Sequence, residues 1–448
     1  MRKIKRTLLM VALFASMPFY LRAQSTLAKY LDEALRNNLG LQSADFALEK
    51  SLYALKEAKG LFLPDVNFST QYLASGGGRK IEIPVGDLLN PVYTSLNNLT
   101  GSTKFPQIEN VSQTFNPNNY YDAKVRTSMP LFNAEITYNT RIRGAQISLQ
   151  QAQLSVYKRE LIKNVKVAYY TYQQILGTIS ILENGLIIAT ENLRINQTLV
   201  KNGKAIRTVV SRAENEVTGL QAQLQEARLQ VVSAAGYFNF LLNKPLNAVV
   251  DIDANTGIPL LGDTTTTGSR REELVAYASV VKVRSLETGM RKSAYLPKIN
   301  TFLDLGAQGD FLTINRQSPY YLLGVTASWQ IFAGNQNKNR IQQAAVEQKS
   351  AESQAVEAEK RLALEALTAT NTYHAAVENY TAAVSQASLS KQYLKDEQRL
   401  YKEGQALYLE LLDAQSRLIS DDIKQSIAFL TVQIRHAELE RAKASYQF

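Results

Sequence analysis

The sequence predicts an α+β membrane protein built on a two-fold internal repeat, and three observations predict it. Apolar or small residues recur at alternating steps of three and four through two long stretches, each reversed by a glycine turn. Four short stretches switch to alternation of apolar and polar residues, the period of a strand with one oily and one wet face. These features occur in the same order twice within the 448 residues, so the chain reads as two copies of one unit.

Residues 1–23 read as a secretory signal: Arg2, Lys3, Lys5 and Arg6, an apolar run from Leu8 to Phe19, then small Ala23. That run is too short to span a bilayer as a helix. No Cys follows it, so lipid attachment to a new N-terminal Cys is not expected. The segment carries five positive charges and no acidic residue, so the formal +10 falls to +5 on its removal. No basic patch is interleaved with aromatics, which argues against a nucleic-acid partner.

The absence of Cys excludes disulfides and thiol catalysis, and the two histidines, His374 and His436, lie far apart in sequence. There is no nucleophile elbow, phosphate loop or dinucleotide fingerprint. Gly76, Gly77 and Gly78 lack the Lys and Ser or Thr that complete a phosphate loop, and they read as part of a flexible loop. No enzyme, cofactor or metal is therefore expected.

The first repeat spans 24–243. Its opening helix, 26–59, is predicted from Leu27, Leu31, Ala34, Leu35, Leu41, Ala44, Leu48, Leu52 and Leu55, and it stops at Gly60 and Pro64. Strand 64–75 sets Val66, Phe68, Thr70, Tyr72 and Ala74 against Asp65, Asn67, Ser69 and Gln71. Strand 120–132 sets Tyr121, Ala123, Val125, Thr127, Met129 and Leu131 against Asp122, Lys124, Arg126 and Ser128. A helical hairpin, 134–242, carries the stripe Val165, Ala168, Tyr172, Ile175, Ile179, Leu182, Leu186, Ala189, Leu193, Asn196 and Val200 outward. After the turn the stripe returns through Ile206, Val210, Ala213, Val217, Leu220, Leu224, Ala227, Val231, Ala234, Phe238 and Leu241.

Residues 244–270, opened by Pro245, read as a small irregular belt. The second repeat, 271–448, holds helix 271–294, strands 297–311 and 320–333, and hairpin 335–445. Ile299, Thr301, Leu303, Leu305 and Ala307 line one face of its first strand, with Phe302 breaking the polar face. Tyr321, Leu323, Val325, Ala327, Trp329 and Ile331 line the second. Leu63-Pro64 matches Leu296-Pro297 at an offset of 233, whereas Tyr120-Tyr121 matches Tyr320-Tyr321 at 200. The first strand connection, 76–119, thus carries 33 extra residues, as an exposed tip tolerates. The outgoing helices, 134–200 and 335–401, are each 67 residues, about 100 Å long. One amphipathic strand fits a half-buried soluble sheet equally well; four behind a secretory signal favour a membrane. Four strands cannot close a barrel, whose smallest form has about eight, and open edges in lipid leave backbone groups unpaired. The chain must therefore oligomerise.

The two glycine tips, the stretch Tyr401 to Ala414, the Leu-Pro pairs before the strands and the repeat resemble the TolC-type outer membrane efflux family over the whole mature sequence. The resemblance implies a homotrimer in outer membrane lipid, its strands closing one twelve-stranded barrel above a periplasmic coiled-coil tunnel with an equatorial belt. It implies a periplasmic adaptor protein and an inner-membrane pump as partners, with the tunnel end opening as its helices untwist. Such a trimer would be the exit duct of a tripartite efflux pump for small molecules; a duct for one exported protein or a metal ion is the alternative.

Carried onto this sequence, Tyr401 and Gly404 match the family's tip pattern, and its inward acidic positions fall on Glu410 and Asp413. Three copies of each would stack carboxylate rings at the entrance. The spacing of three alone suits a solvated helix face equally well. Ala406 and Val209 stand where relatives carry Arg and Asp, so the family's polar latch is absent in that form; nearby Arg207 and Arg212 are expected to pair with Glu410 or Asp413. The turns Asn202, Gly203, Lys204, Ala205 and Glu403, Gly404, Gln405, Ala406 are the expected adaptor contacts, and they would also serve as plain helix stops.

Overall fold

The computed structural model describes residues 26–116, 118–253 and 271–446; the signal segment 1–23 and most of the belt lie outside them. The described helices are α1 (Thr26–Asn37), α2 (Leu39–Gly60), α3 (Val85–Thr100), α4 (Ala134–Lys201), α5 (Arg207–Leu241), α6 (Glu272–Lys292), α7 (Gln336–Lys402) and α8 (Tyr408–Lys443). The strands are β1 (Asp65–Leu73), β2 (Lys80–Ile83), β3 (Val111–Thr114), β4 (Tyr120–Phe132), β5 (Lys298–Asp310) and β6 (Pro319–Ser328). They fall into two compact units, one holding the sheets (52–145 and 282–349) and one holding most of the long helices (1–51, 146–281 and 350–448).

The main sheet has the order β1-β4-β5-β6, antiparallel throughout. Its alternation follows the predicted period. On the polar face, Arg126 lies opposite Asp304 and donates to both its carboxylate oxygens, at 2.7 and 2.6 Å. Asp122 accepts from Lys124 and Tyr320, each at 2.7 Å. The other face leaves Val66, Phe68, Val125, Leu305, Tyr321, Leu323 and Val325 exposed. Phe302, which breaks the polar set, lies under the Arg126 guanidinium, 5.0 Å from ring centre to Cζ. Its cross-strand partner is Gly324, where a Cβ would stand 2.5 Å from the Phe302 ring. The missing side chain on β6 is what lets an aromatic lie flat in a polar row.

Three expectations need correction. The helix expected over 26–59 is broken at Asn38. The Asn38 side-chain oxygen accepts the Leu41 N–H at 3.0 Å, capping a new helix, while its amide donates to the Leu241 carbonyl at 2.9 Å. The strand expected over 320–333 ends at Ser328, and the Trp329 indole donates to the Tyr295 carbonyl at 3.0 Å instead of continuing a ladder. The stretch read as a flexible loop, 76–119, is a folded insertion. It pairs β2 with β3 and holds α3 against its return segment through side-chain amides. Asn90 exchanges bonds with the Ile108 backbone at 3.0 and 2.9 Å, and Asn97 with Phe105 at 2.7 and 3.1 Å. Asparagine supplies both partners that an irregular backbone lacks.

In the helical unit the predicted stripes are the seams. Val165, Ala168, Leu182, Ala189, Ala213, Leu220, Leu224, Ala227, Phe238 and Leu241 are buried, and so, at the same steps of three and four along the second hairpin, are Tyr373, Ala376, Ala383, Ala387, Leu394 and Leu411. A dense ionic layer joins α4, α6 and α8. Arg159 grips Glu272 with two bonds of 2.6 Å, Arg441 reaches Glu273 at 2.7 Å, and Arg271 donates to the Ala442 carbonyl at 2.8 Å. Burial alone would raise the Glu273 carboxyl, but bonds from Arg271 and the charges of Arg441 and Arg271 hold it at about 2.

Candidate functional site

Both hairpin tips end in the same backbone motif. At the first, the Gly203 N–H donates to Val200 O at 3.0 Å and the Lys204 N–H to Leu199 O at 2.8 Å. At the second, Gly404 donates to Tyr401 O at 3.1 Å and Gln405 to Leu400 O at 2.9 Å. These paired bonds close a helix end on a residue of positive φ, +68° at Gly203 and +74° at Gly404, where only glycine sits without strain. The chain then turns extended at Ile206 and Leu407 and enters the returning helix.

The expected adaptor-contact residues Asn202, Gly203, Lys204, Glu403, Gly404 and Gln405 are exposed, and Ala205 and Ala406 are half-buried. Ile206 and Leu407, which lie next to the expected adaptor contacts but were not among them, hold equivalent N-cap positions and are 71% and 69% exposed. Their signal was present: each is an apolar residue in a stripe whose other members are covered.

Glu410 and Asp413 are exposed on the first turns of α8. The Glu410 carboxylate accepts the Leu407 N–H at 2.8 Å, the return half of a capping box whose other half Leu407, lacking a side-chain acceptor, cannot supply. Burial raises the Tyr393 phenol, and the charges of Glu397, Asp413 and Glu410 raise it further, so three carboxylates share one field beside it. Arg207 and Arg212 are exposed on α5, and among the described residues of one chain no ion pair joins either of them to Glu410 or Asp413. The pairing expected from the sequence is therefore not made within a protomer.

What the chain does make at this end is a buried polar bridge between its two hairpins. The Tyr401 hydroxyl on α7 donates to Asn196 Oδ1 on α4 at 2.9 Å, and Asn196 is 1% exposed. The Asn192 amide donates to Gln415 Oε1 at 2.6 Å, and the Ser416 hydroxyl to Glu216 Oε1 at 3.3 Å. Tyr408 packs at a tilt against Tyr401, ring centres 6.0 Å apart and planes at 53°, in an apolar cluster with Ala213, Leu394, Leu411 and Ala414. Burial, then Tyr401 and Glu216, pushes the Tyr408 phenol up to about 12, against a bond from Asn196. A polar residue in an otherwise apolar seam fixes register at some cost in stability, and Asn196 is such a residue. Sequence reasoning placed Tyr401 at the gate but missed its partner; the signal was Asn196 standing alone in the stripe.

A sheet with one apolar and one polar face, two unpaired edges, and long paired helices in the same chain together define a component of a membrane duct. The sequence profile of the outer membrane efflux protein family matches residues 30–243 and 267–444, and the chain belongs to that family. It is thus an outer-membrane exit duct of an efflux pump. Among the solved structures that share the fold are these three. The Campylobacter jejuni CmeC outer membrane channel is 15% identical with a TM-score of 0.75, covering 93% of this chain and 85% of that one. The Vibrio cholerae outer membrane protein VceC is 13% identical with a TM-score of 0.76, covering 93% and 95%. The Neisseria gonorrhoeae MtrE outer membrane channel, solved in its open state, is 18% identical with a TM-score of 0.75, covering 93% and 88%. No curated protein sequence is significantly similar to the chain.

Proposed function

We propose that three copies of this chain close one twelve-stranded barrel and one helical tunnel, which carries small molecules from an inner-membrane pump, through a periplasmic adaptor, to the exterior. One observation carries this reading: β1 and β6 are open edges of a sheet whose one face is exposed and apolar. In lipid such edges must be paired, and an even number of alternating strands lets β6 of one copy pair with β1 of the next. Two repeats, 24–243 and 271–448, joined by the belt 244–270 after loss of a signal at 1–23, supply the two halves of each protomer.

At the tunnel end, Glu410 and Asp413 of three copies form the acidic constriction, and Arg207 and Arg212 meet them across the protomer boundary when the end is shut. Their exposure within one chain supports this placement: all four side chains are reachable by a neighbour, and Glu410 commits only one carboxylate oxygen, to the Leu407 N–H. The tips at Asn202–Ala205 and Glu403–Ala406, with Ile206 and Leu407, dock the adaptor.

The native mass of the mature protein in mild detergent tests the reading directly. A mass of three chains, forming cation-selective pores whose selectivity falls in Glu410→Gln/Asp413→Asn, is expected. A stable monomer would refute the duct, because four strands line no pore.

A further inference from the structure

The folded insertion between β1 and β4 has a face its own fold does not use. Leu88, Val92 and Leu99 on α3 are 68%, 51% and 83% exposed. At 3.6 residues per turn they lie within about 40° of one another around the helix. Asn90 and Asn97, which bind the return segment, lie about 180° away. The module is therefore held together by one side of α3 and displays an apolar stripe on the other.

A second exposed apolar set sits at the same end of the sheet, on the turn between β5 and β6. Phe311, Leu312 and Ile314 are 69%, 67% and 81% exposed. Phe311 and Leu312 hold φ of +53° and +56°, an uncommon conformation for large side chains. The turn is pinned there by the Phe311 N–H on Asn119 O at 2.6 Å and the Tyr121 hydroxyl on Thr313 O at 3.0 Å. Two strained residues within three exposed apolar ones motivate the search for a partner surface.

Strand direction says what that contact is. β1 runs toward this end, where Leu73 pairs with Tyr120 and Tyr120 with Asp310, and β6 starts from it at Pro319. Joining β6 of one copy to β1 of the next keeps the antiparallel alternation. It also sets the turn before Pro319 beside the insertion that leaves from the neighbour's Leu73. We propose that α3 of one copy docks through Leu88, Val92 and Leu99 onto Phe311, Leu312 and Ile314 of the adjoining copy, clasping the barrel at its loop end. The inference rests on the trimer proposed above.

The absence of cysteine makes the test clean. Full-length protein carrying Leu99→Cys and Ile314→Cys is oxidised in native membranes, then heated and run without reductant, with native mass measured in parallel. Covalent dimers and trimers in the double variant, with neither single variant cross-linking, are expected. Dimers from Leu99→Cys alone would place α3 against α3 and overturn the proposal, as would a bridge confined within one chain. Intact trimers without any cross-link would sink the clasp but leave the duct. Failure to find trimers would sink both. Because the stripe is outside the module's own packing, Leu88→Ser/Leu99→Ser should still assemble but dissociate on heating several degrees lower; an unchanged dissociation temperature would count against the clasp.

Discussion

Replacing Tyr401 by Phe removes one hydroxyl and nothing else from the tip. The ring stays, so the packing with Tyr408, Leu394 and Leu411 is retained and no cavity opens. What is lost is the 2.9 Å bond to Asn196 Oδ1, and Asn196 is almost wholly buried, so its oxygen is left dry and unpaired. A neutral bond is worth about 0.5–1.5 kcal/mol net, and stranding a buried acceptor raises the cost to about 1–3 kcal/mol. That energy is lost from the state in which α4 and α7 are in contact. If the tunnel opens by parting the two hairpins, the opening equilibrium shifts by about 5- to 150-fold.

Single-channel recording in planar bilayers reads the open fraction, and Tyr401→Phe should raise it well above that of the parent. Asn196→Leu should do at least as much, since it also takes away the bond to Tyr408, and the double variant should add little to Asn196→Leu, because the Tyr401 bond is already absent there. An unchanged open fraction in Tyr401→Phe would refute the latch. So would full additivity, which would show that the two residues act through separate contacts.

Other consequences follow from geometry alone. Gly324→Ala puts a methyl 2.5 Å from the Phe302 ring and should impair trimer yield through about 1–3 kcal/mol of overpacking, with Phe302→Leu in the same chain restoring it. Gly404→Ala meets no atom within 4 Å, so its cost is backbone strain alone, about 1–2 kcal/mol, read as a lower melting temperature that Gly404→Asn largely avoids. Arg159→Ala strands Glu272 in the ionic layer and should cost about 3–5 kcal/mol in denaturant unfolding, whereas Arg228→Ala, whose pair with Glu183 is exposed, should cost under about 1 kcal/mol. The Glu273 carboxyl, held at about 2 against 4.5 unperturbed, contributes stability that is complete above about pH 4.5 and is lost as pH falls toward 2. Helix content followed in acid should decline across that window in the parent, and Glu273→Gln should flatten the slope.

Much of this fold was legible because long helices and amphipathic strands advertise themselves by period. Val165 to Leu241 reads as one seam since every position of the stripe but Asn196 is apolar and, Ile206 at the turn apart, covered or half-covered, and β4 alternates because its sheet has one apolar face and one polar face. What escaped was where side chains serve as backbone. Asn38 ends one helix and caps the next by satisfying three polar groups at once, and no period announces that. Asn90 and Asn97 fold an insertion whose composition reads as loop, because the same residue breaks regular structure when free and builds irregular structure when paired. The site divides along the same line. Gly203 and Gly404 were legible, since a reversal between two helices demands positive φ, whereas nothing in the period singles out Glu410 and Asp413, whose expected role came from resemblance alone. The bond between Tyr401 and Asn196 joins residues 205 apart in sequence. It could be anticipated only by asking why an amide stands in a row of leucines and alanines. That question generalises: in a seam where apolar residues alone would pack, an isolated polar residue marks the place where two helices are held in register.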